Sequence, residues 1–326
     1  MKRKVTQQKS QYQWQRRIFV LFLFGFFFVS LLLMQAWYNG VVTSISSLRP
    51  HFVQNPKIAF LFIARNRLPL DMVWHSFFEG EESRFSVFVH SRPGFLLNKA
   101  TTRSVYFLNR QLNDSIQVDW GEASMIEAER ILLRHALKDP FNERFIFLSD
   151  SCIPLYNFSY TYDYVISTST SFVDRNNPKQ LSAAMRRSLP EFWRDHPLPV
   201  DAAKEHNCIP DEHYVQTLLA LKNLEGEITR RSLTYSSWDL SASKEPERRG
   251  WHPVTYKFAD ATPELIQSIK GIDNIHYETE NRREWCSSKG KPSPCFLFAR
   301  KFTRPAALRL LKMSVLGAHG EDTSKL

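Results

Sequence analysis

The sequence predicts an α/β protein: a mixed sheet flanked by helices, preceded by one N-terminal transmembrane helix. Three observations carry this reading. Lys57–Ala64, Phe85–His90 and Arg144–Asp150 are short, nearly continuous apolar runs, as in strands covered on both faces. Segments with apolar residues at helical spacing lie between them, the alternation that builds a parallel or mixed sheet. Ile18–Trp37 is an apolar stretch without a charge.

That stretch is long enough to cross a bilayer as a helix, since about 20 apolar residues suffice. Lys2, Arg3, Lys4, Lys9, Arg16 and Arg17 precede it and no cation follows until Arg49, so the N-terminus is expected to face the cytosol. A cleaved signal peptide is the alternative. Its core would be shorter, and Met34-Gln35-Ala36 is a poor cleavage site. The expected plan is a cytosolic tail (1–17), an anchor (18–38), a stem (39–56), a lumenal domain (57–313) and a disordered tail (314–326).

The formal net charge of +10 could point to nucleic acid, but much of it sits in the N-terminal tail. The remainder has no dense Lys/Arg stripe, so no nucleic-acid partner is expected. Asn113-Asp-Ser115 and Asn157-Phe-Ser159 are N-glycosylation acceptor triplets. All four cysteines follow the anchor and permit two disulfides in any of three connectivities. Cys286 and Cys295 flank a Ser/Gly/Lys/Pro-rich loop and suit a local pair, which leaves Cys152 with Cys208. No short C-x-x-C pair favours zinc.

Within the domain, Leu70–Phe78 reads as a helix after the first strand, and Arg92-Pro93-Gly94 stops the second. Val105–Leu108 and Ile116–Trp120 read as short strands. Ser124–Lys138 is a helix with Ser124 and Glu127 at capping-box spacing. Ser167–Val173, Thr229–Trp238 and Val254–Phe258 are expected strands, Tyr162–Ile166 a helical turn, and Pro263–Ile269 a helix capped by Thr262. A last helix runs from Pro305 to Met313. Ligands of such sheets bind beyond the carboxyl ends of the strands. Those ends are polar here: Ala64-Arg65-Asn66, His90-Ser91-Arg92 and Ser149-Asp150-Ser151. No G-x-G-x-x-G or P-loop follows any of them.

His206–Leu219 carries the clearest candidate for catalysis. Pro210 and Asp211 suit a first helical turn, and Tyr214, Val215, Leu218 and Leu219 continue at helical spacing. Glu212 is thereby placed in the first turn, where free N–H groups and the helix dipole favour an ionised carboxylate. Such a group suits a general base; acids are also common in first turns simply as helix caps.

Taken together, Lys57-Ile-Ala-Phe-Leu-Phe, Val89-His-Ser-Arg-Pro-Gly94, Phe147-Leu-Ser-Asp-Ser-Cys-Ile-Pro-Leu155, Pro210-Asp-Glu-His-Tyr214, Ser237-Trp-Asp239, Trp251-His-Pro253 and Phe298-Ala-Arg-Lys-Phe302 form a specific set. With them, the chain resembles the plant branch of the core-2/I-branching β-1,6-N-acetylglucosaminyltransferase-like proteins, glycosyltransferase family 14. The resemblance implies a GT-A-like fold, a Golgi location with a single-pass type II anchor, and inverting transfer of a sugar from a UDP-sugar to a glycan or glycoprotein. It carries the catalytic base onto Glu212 and the diphosphate-holding cation onto Lys301. An inverting transfer needs a base for the acceptor hydroxyl and positive charge on the departing diphosphate. No D-x-D is present, and Ser149-Asp150-Ser151 offers one carboxylate, so Arg300 and Lys301 are expected to supply that charge with no metal cofactor. Asp150 and His90 are further donor-side candidates, His90 near the nucleotide base. Asp239, His252 and Trp238 are candidates for the cleft or acceptor.

One departure from the family pattern stands out. A tryptophan-bearing segment usual between the strand near Phe172 and the helix at Pro210 is missing, because Asn177-Pro-Lys-Gln runs straight into Arg186-Arg-Ser-Leu-Pro-Glu. A few dozen residues of the pocket wall are absent, which keeps a non-catalytic glycan- or partner-binding protein as the alternative. A glycosidase ranks below both, since Asp211 and Glu212 are sequence neighbours and cannot flank one bond.

Overall fold

The structure is a computed structural model that describes residues 25, 27–36, 55–119, 121–174, 211–238, 253–277, 281–288 and 290–317, with 211–213 described in backbone only. The chain divides into two units, Met1–Gln54 and Asn55–Leu326. In the first, residues 27–36 are helical, with Phe27, Phe28, Leu32, Leu33 and Met34 exposed. Ile18–Phe24, Phe26 and Trp37 of the apolar stretch lie outside the described residues. Among the described residues, no helix is long and apolar enough to cross a membrane.

The second unit is built on a parallel sheet in the order β2-β1-β3, from β1 (Lys57–Ile63), β2 (Phe85–His90) and β3 (Asn142–Ser149). Phe60 is level with Val87 on one side and with Ile146 on the other. Ile58 to Phe62 are wholly buried, and the strand's period of two divides them between two cores. Ile58, Phe60 and Phe62 face a large cluster containing Trp74, Phe77 and Phe78 of α1 (Asp71–Phe78). Ala59 and Leu61 face a smaller one with Ile131, Leu132 and Ala136 of α2 (Ala123–Ala136). The continuous apolar character of Lys57–Ala64 is therefore the mark of a central strand with a helix on each face.

After β3 the chain turns at Ser149–Cys152 and enters β4 (Ile153–Pro154), which belongs to a second sheet. Its middle strand, β12 (Phe298–Arg300), pairs antiparallel with β4 and parallel with β7 (Thr234–Ser236). Helix α3 (Phe158–Ser167) is capped by Asn157, whose side chain accepts the N–H of Tyr160 at 2.9 Å. Short strands β5 (Ser171–Phe172) and β6 (Ile228–Thr229) pair in parallel. Helix α4 (Asp211–Leu221) packs against α2. Helix α5 (Pro263–Lys270) starts at Thr262, whose hydroxyl accepts from Leu265 N–H. Hairpins β8–β9 (Asn274–Tyr277 and Arg282–Trp285) and β10–β11 (Ser287–Ser288 and Lys291–Pro292) follow. A disulfide between Cys286 and Cys295 closes the second of them. Buried Arg231 donates to the Cys295 carbonyl and to the Tyr164 hydroxyl, fastening this loop to α3. Helix α6 (Arg304–Lys312) packs on α1.

Several expectations need correction. Cys152 is a free, buried thiol rather than the partner of Cys208; its Sγ lies 3.2 Å from Ser149 Oγ inside the turn between the sheets. Cys208 itself lies outside the described residues. The capping box at Ser124 does not form, because the helix starts one residue earlier and Ser124 Oγ accepts Asp119 N–H instead. Val105–Phe107 is a 3₁₀ turn, Ile116–Asp119 is not a strand, and Val254–Phe258 contributes only a bridge from Tyr256 to Phe302. Val315 and Leu316, expected in a disordered tail, pack on the large core, and Gly317 pairs with Tyr156.

Trp74 joins the two sheets. Its ring meets Phe62 of β1 edge-on at 5.1 Å and Phe298 of β12 at 6.0 Å, and its Nε1 donates to the Cys152 carbonyl at 3.0 Å. Trp74→Phe removes volume from a closed core and leaves that carbonyl without its donor. It should lower unfolding stability by about 2–4 kcal/mol, measured by urea denaturation of the full chain in detergent. A loss below about 1 kcal/mol would mean that these contacts do not hold the sheets together.

Candidate active site

The carboxyl ends of β1, β2 and β3 meet at one edge, and backbone bonds hold their loops together. Ala64 N–H donates to the His90 carbonyl, and Arg92 N–H donates to the Arg65 carbonyl at 3.1 Å. Arg92 to Phe95 is a tight turn closed by Phe95 N–H on the Arg92 carbonyl. Its third residue, Gly94, has φ 77°, a value that side-chain-bearing residues resist. The turn presents Arg92 and Phe95 toward the same space as the β1 loop. Together with Asp150, residues Arg65, Asn66, Arg67, Pro69, Arg92 and Phe95 line a cavity of about 510 Å³.

The end of β12 arrives beside it. Phe302 N–H donates to the Ser151 carbonyl at 3.0 Å, and the Lys301 carbonyl accepts from Tyr256 N–H at 2.8 Å. The Arg300–Lys301 peptide is cis. Asp150 thus sits in an inter-sheet turn with Arg65 on one side and Arg300 and Lys301 on the other. Burial raises the Asp150 carboxyl above its usual range, although Arg65, Lys301 and Arg300 pull the other way. Burial, then Arg300, holds the Lys301 ammonium below the ordinary lysine value, with Asp150 opposing and Arg65 adding to the lowering. One carboxylate, Asp150, therefore interacts with three cations, Arg65, Arg300 and Lys301, while Arg67 and Arg92 line the same cavity. Arg300 Nε and the Ser91 hydroxyl are also buried without a hydrogen-bond partner among the described residues. Such a donor set suits an anion with several oxygens. Among the described residues, no group of three His, Cys, Asp or Glu side chains converges to ligate a metal ion.

The sequence matches the family described as Core-2/I-Branching enzyme over residues 58–191 and 182–270. It is also 61% identical over 316 residues to glycosyltransferase BC10 of Oryza sativa subsp. japonica, an alignment that takes in 82% of this chain and 79% of that protein. The chain belongs to the Core-2/I-branching enzyme family. Glycosyl transfer is therefore its reaction class. The aligned length exceeds the part of this 326-residue chain that it covers, so the rice relative carries residues with no counterpart here. The family match also breaks into two pieces that overlap at 182–191, the place where the sequence runs short of the family pattern.

In this branching-enzyme chain, the structure brings Asp150, Arg300 and Lys301 together at the strand ends. His90, a donor-side candidate, is buried, does not line the cavity, and its Nε2 accepts Ile116 N–H at 3.1 Å. The ring proton is thus on Nδ1, burial pushes the pKa down, and the residue fastens the loop after residue 112. Trp238 is half exposed and pairs with Pro253. Asp239 and His252 lie outside the described residues, as does the side chain of Glu212, whose backbone is in the first turn of α4. Asn113 and Asn157 are both exposed. Arg65, Arg67 and Arg92 were not singled out from sequence as site residues. Each follows an apolar strand, but only the sheet shows that three separate loops converge.

Asp150→Asn removes the one carboxylate that favours the charged form of Lys301. Lys301 should then lose its proton at a still lower pH, as read by competitive acylation of Lys301 across the alkaline range. An unchanged titration would separate the two side chains.

Proposed function

We propose that this chain transfers GlcNAc or a related sugar from a UDP-sugar to a glycan hydroxyl with inversion, through a GT-A-like lumenal domain. The observation that carries the reading is the cationic cavity at the carboxyl ends of a parallel sheet, with Arg65, Arg67, Arg92, Arg300 and Lys301 around Asp150. Glu212 removes the proton of the acceptor hydroxyl. The oxygen attacks the anomeric carbon, the bond from that carbon to the diphosphate breaks, and its electron pair leaves with UDP. Lys301 and Arg300, aided by the arginines of the strand ends, neutralise the leaving group, so no metal cofactor is required. The rice relative's name, glycosyltransferase BC10, supports the reaction class. Ile18–Trp37 anchors the chain in the Golgi membrane, with the described part of that stretch helical and apolar on its surface.

Purified full chain should release UDP from a UDP-sugar in the presence of acceptor and remain active in EDTA. Glu212→Gln should lower kcat by about 10²–10⁴-fold, and Lys301→Ala by about 10²–10³-fold with weaker UDP binding. Full activity in Glu212→Gln, or strict dependence on a divalent ion, would overturn this mechanism.

The split family match favours a second reading, in which the shortened pocket wall leaves a protein that binds nucleotide sugar or glycan without transfer. UDP binding with no turnover on any donor would select it.

A further inference from the structure

A second cavity, of about 280 Å³, opens beside the first and shares Arg67 and Pro69 with it. Arg67, Lys99, Arg103 and Arg304 line it, and they come from three separate parts of the chain. Its one carboxylate, Asp71, is buried and already engaged: Oδ2 accepts from Thr102 Oγ1 at 3.0 Å and from Arg103 N–H at 2.8 Å. Those bonds pin the loop that carries Lys99 and Arg103. Thr101 adds to this, its hydroxyl donating to the Leu96 carbonyl and accepting Asn98 N–H. Among the described residues, none of the four cations is paired with a carboxylate. The packed helices α1 and α6 both start at this cavity, with Asp71 and Arg304, so two positive dipole ends add to the four charges.

We propose that this cavity is an acceptor subsite for the carboxylate of an acidic sugar, so that the chain prefers a uronic-acid-bearing glycan as acceptor. The inference rests on the proposed transferase reading. In that reading the nucleotide and diphosphate occupy the cavity at the strand ends. The cavity beyond the shared Arg67–Pro69 rim then falls to the other substrate, within reach of a sugar chain. Arg67, Lys99, Arg103 and Arg304 are exposed, so an acidic sugar can reach all four from solvent, whereas a neutral oligosaccharide makes no use of their charge. A carboxylate offers charge-assisted hydrogen bonds to the guanidinium forks of Arg103 and Arg304.

The test measures binding of three probes to the full chain in detergent, without donor: a uronic-acid-bearing oligosaccharide, the same oligosaccharide after carboxyl reduction, and UDP. Wild type should bind the acidic form more tightly than the reduced one. The exposed pair Lys99→Ala/Arg103→Ala should weaken the acidic form roughly ten- to hundredfold, leaving the reduced form and UDP unchanged. Lys99→Glu/Arg103→Glu should reverse the preference, with an unchanged melting temperature showing that the fold is intact. Equal wild-type affinity for the two oligosaccharides, or equal weakening of both in the variants, would overturn the inference. Acidic binding through these residues in a chain with no transfer would sink the catalytic reading alone. Transfer to acidic and reduced acceptors with equal KM would sink the subsite alone.

Discussion

The architecture turns on the indole of Trp74, which donates to the carbonyl of Cys152 at the point where the chain leaves one sheet for the other. The residues just before that carbonyl include Asp150, and the strand paired across from β4 ends in Arg300 and Lys301. That buried hydrogen bond and the aromatic contacts to Phe62 and Phe298 act with the β4–β12 pairing and the bond from Phe302 N–H to the Ser151 carbonyl to set how the two sheets meet. The site is a product of inter-sheet packing more than of any one loop.

The electrostatic consequence is a concentration of positive charge that the protein leaves largely uncompensated. Asp150 is the one carboxylate in the group, and its own desolvation works against its ionised form. Lys301 is depressed by burial and by the neighbouring arginines. An incoming polyanion would offset the cost at Lys301, and would push the Asp150 carboxyl further toward its neutral form. Cation clusters of this sort are preorganised for developing negative charge, because their orientation is already set by the backbone before the ligand arrives. The second cavity extends the same logic away from the sheet. There the loop 97–104 is tied down by Asp71 and its hydroxyl partners, and among the described residues none of the cations it carries is paired with a carboxylate.

Family membership and the shortened chain bear on different parts of the molecule. The strands β1 to β4, the inter-sheet turn and the Arg300–Lys301 strand end lie away from the break in sequence. The overlap of the two family matches at 182–191 precedes the helix that bears Glu212. That helix reaches the body of the domain through α2, on the smaller of the two cores. The turn that carries Asp150 thus lies beside the larger core, and the helix that bears Glu212 packs on α2, which lines the smaller.

Sequence by itself determined the periodic elements. The runs at Lys57, Phe85 and Arg144 are apolar enough to dictate strands, of which only the first is central and the last leaves Phe147 exposed, and Thr262-Pro263 is a complete start signal for a helix. The disulfide of Cys286 and Cys295 was legible because the eight residues between them have a loop-forming composition that brings the two ends together. Tertiary structure alone decided what depends on distant partners. Cys152 stays a thiol because it is enclosed between the sheets, His90 is spent on Ile116, and Val105–Phe107 curls into a turn rather than pairing. Most of all, only the fold gathers Arg65, Arg300 and Lys301 around one carboxylate and lines its cavity with Arg67 and Arg92 as well. Local patterns record which face of an element meets the core, whereas convergence of charges from separate loops is a property of how the sheets cross.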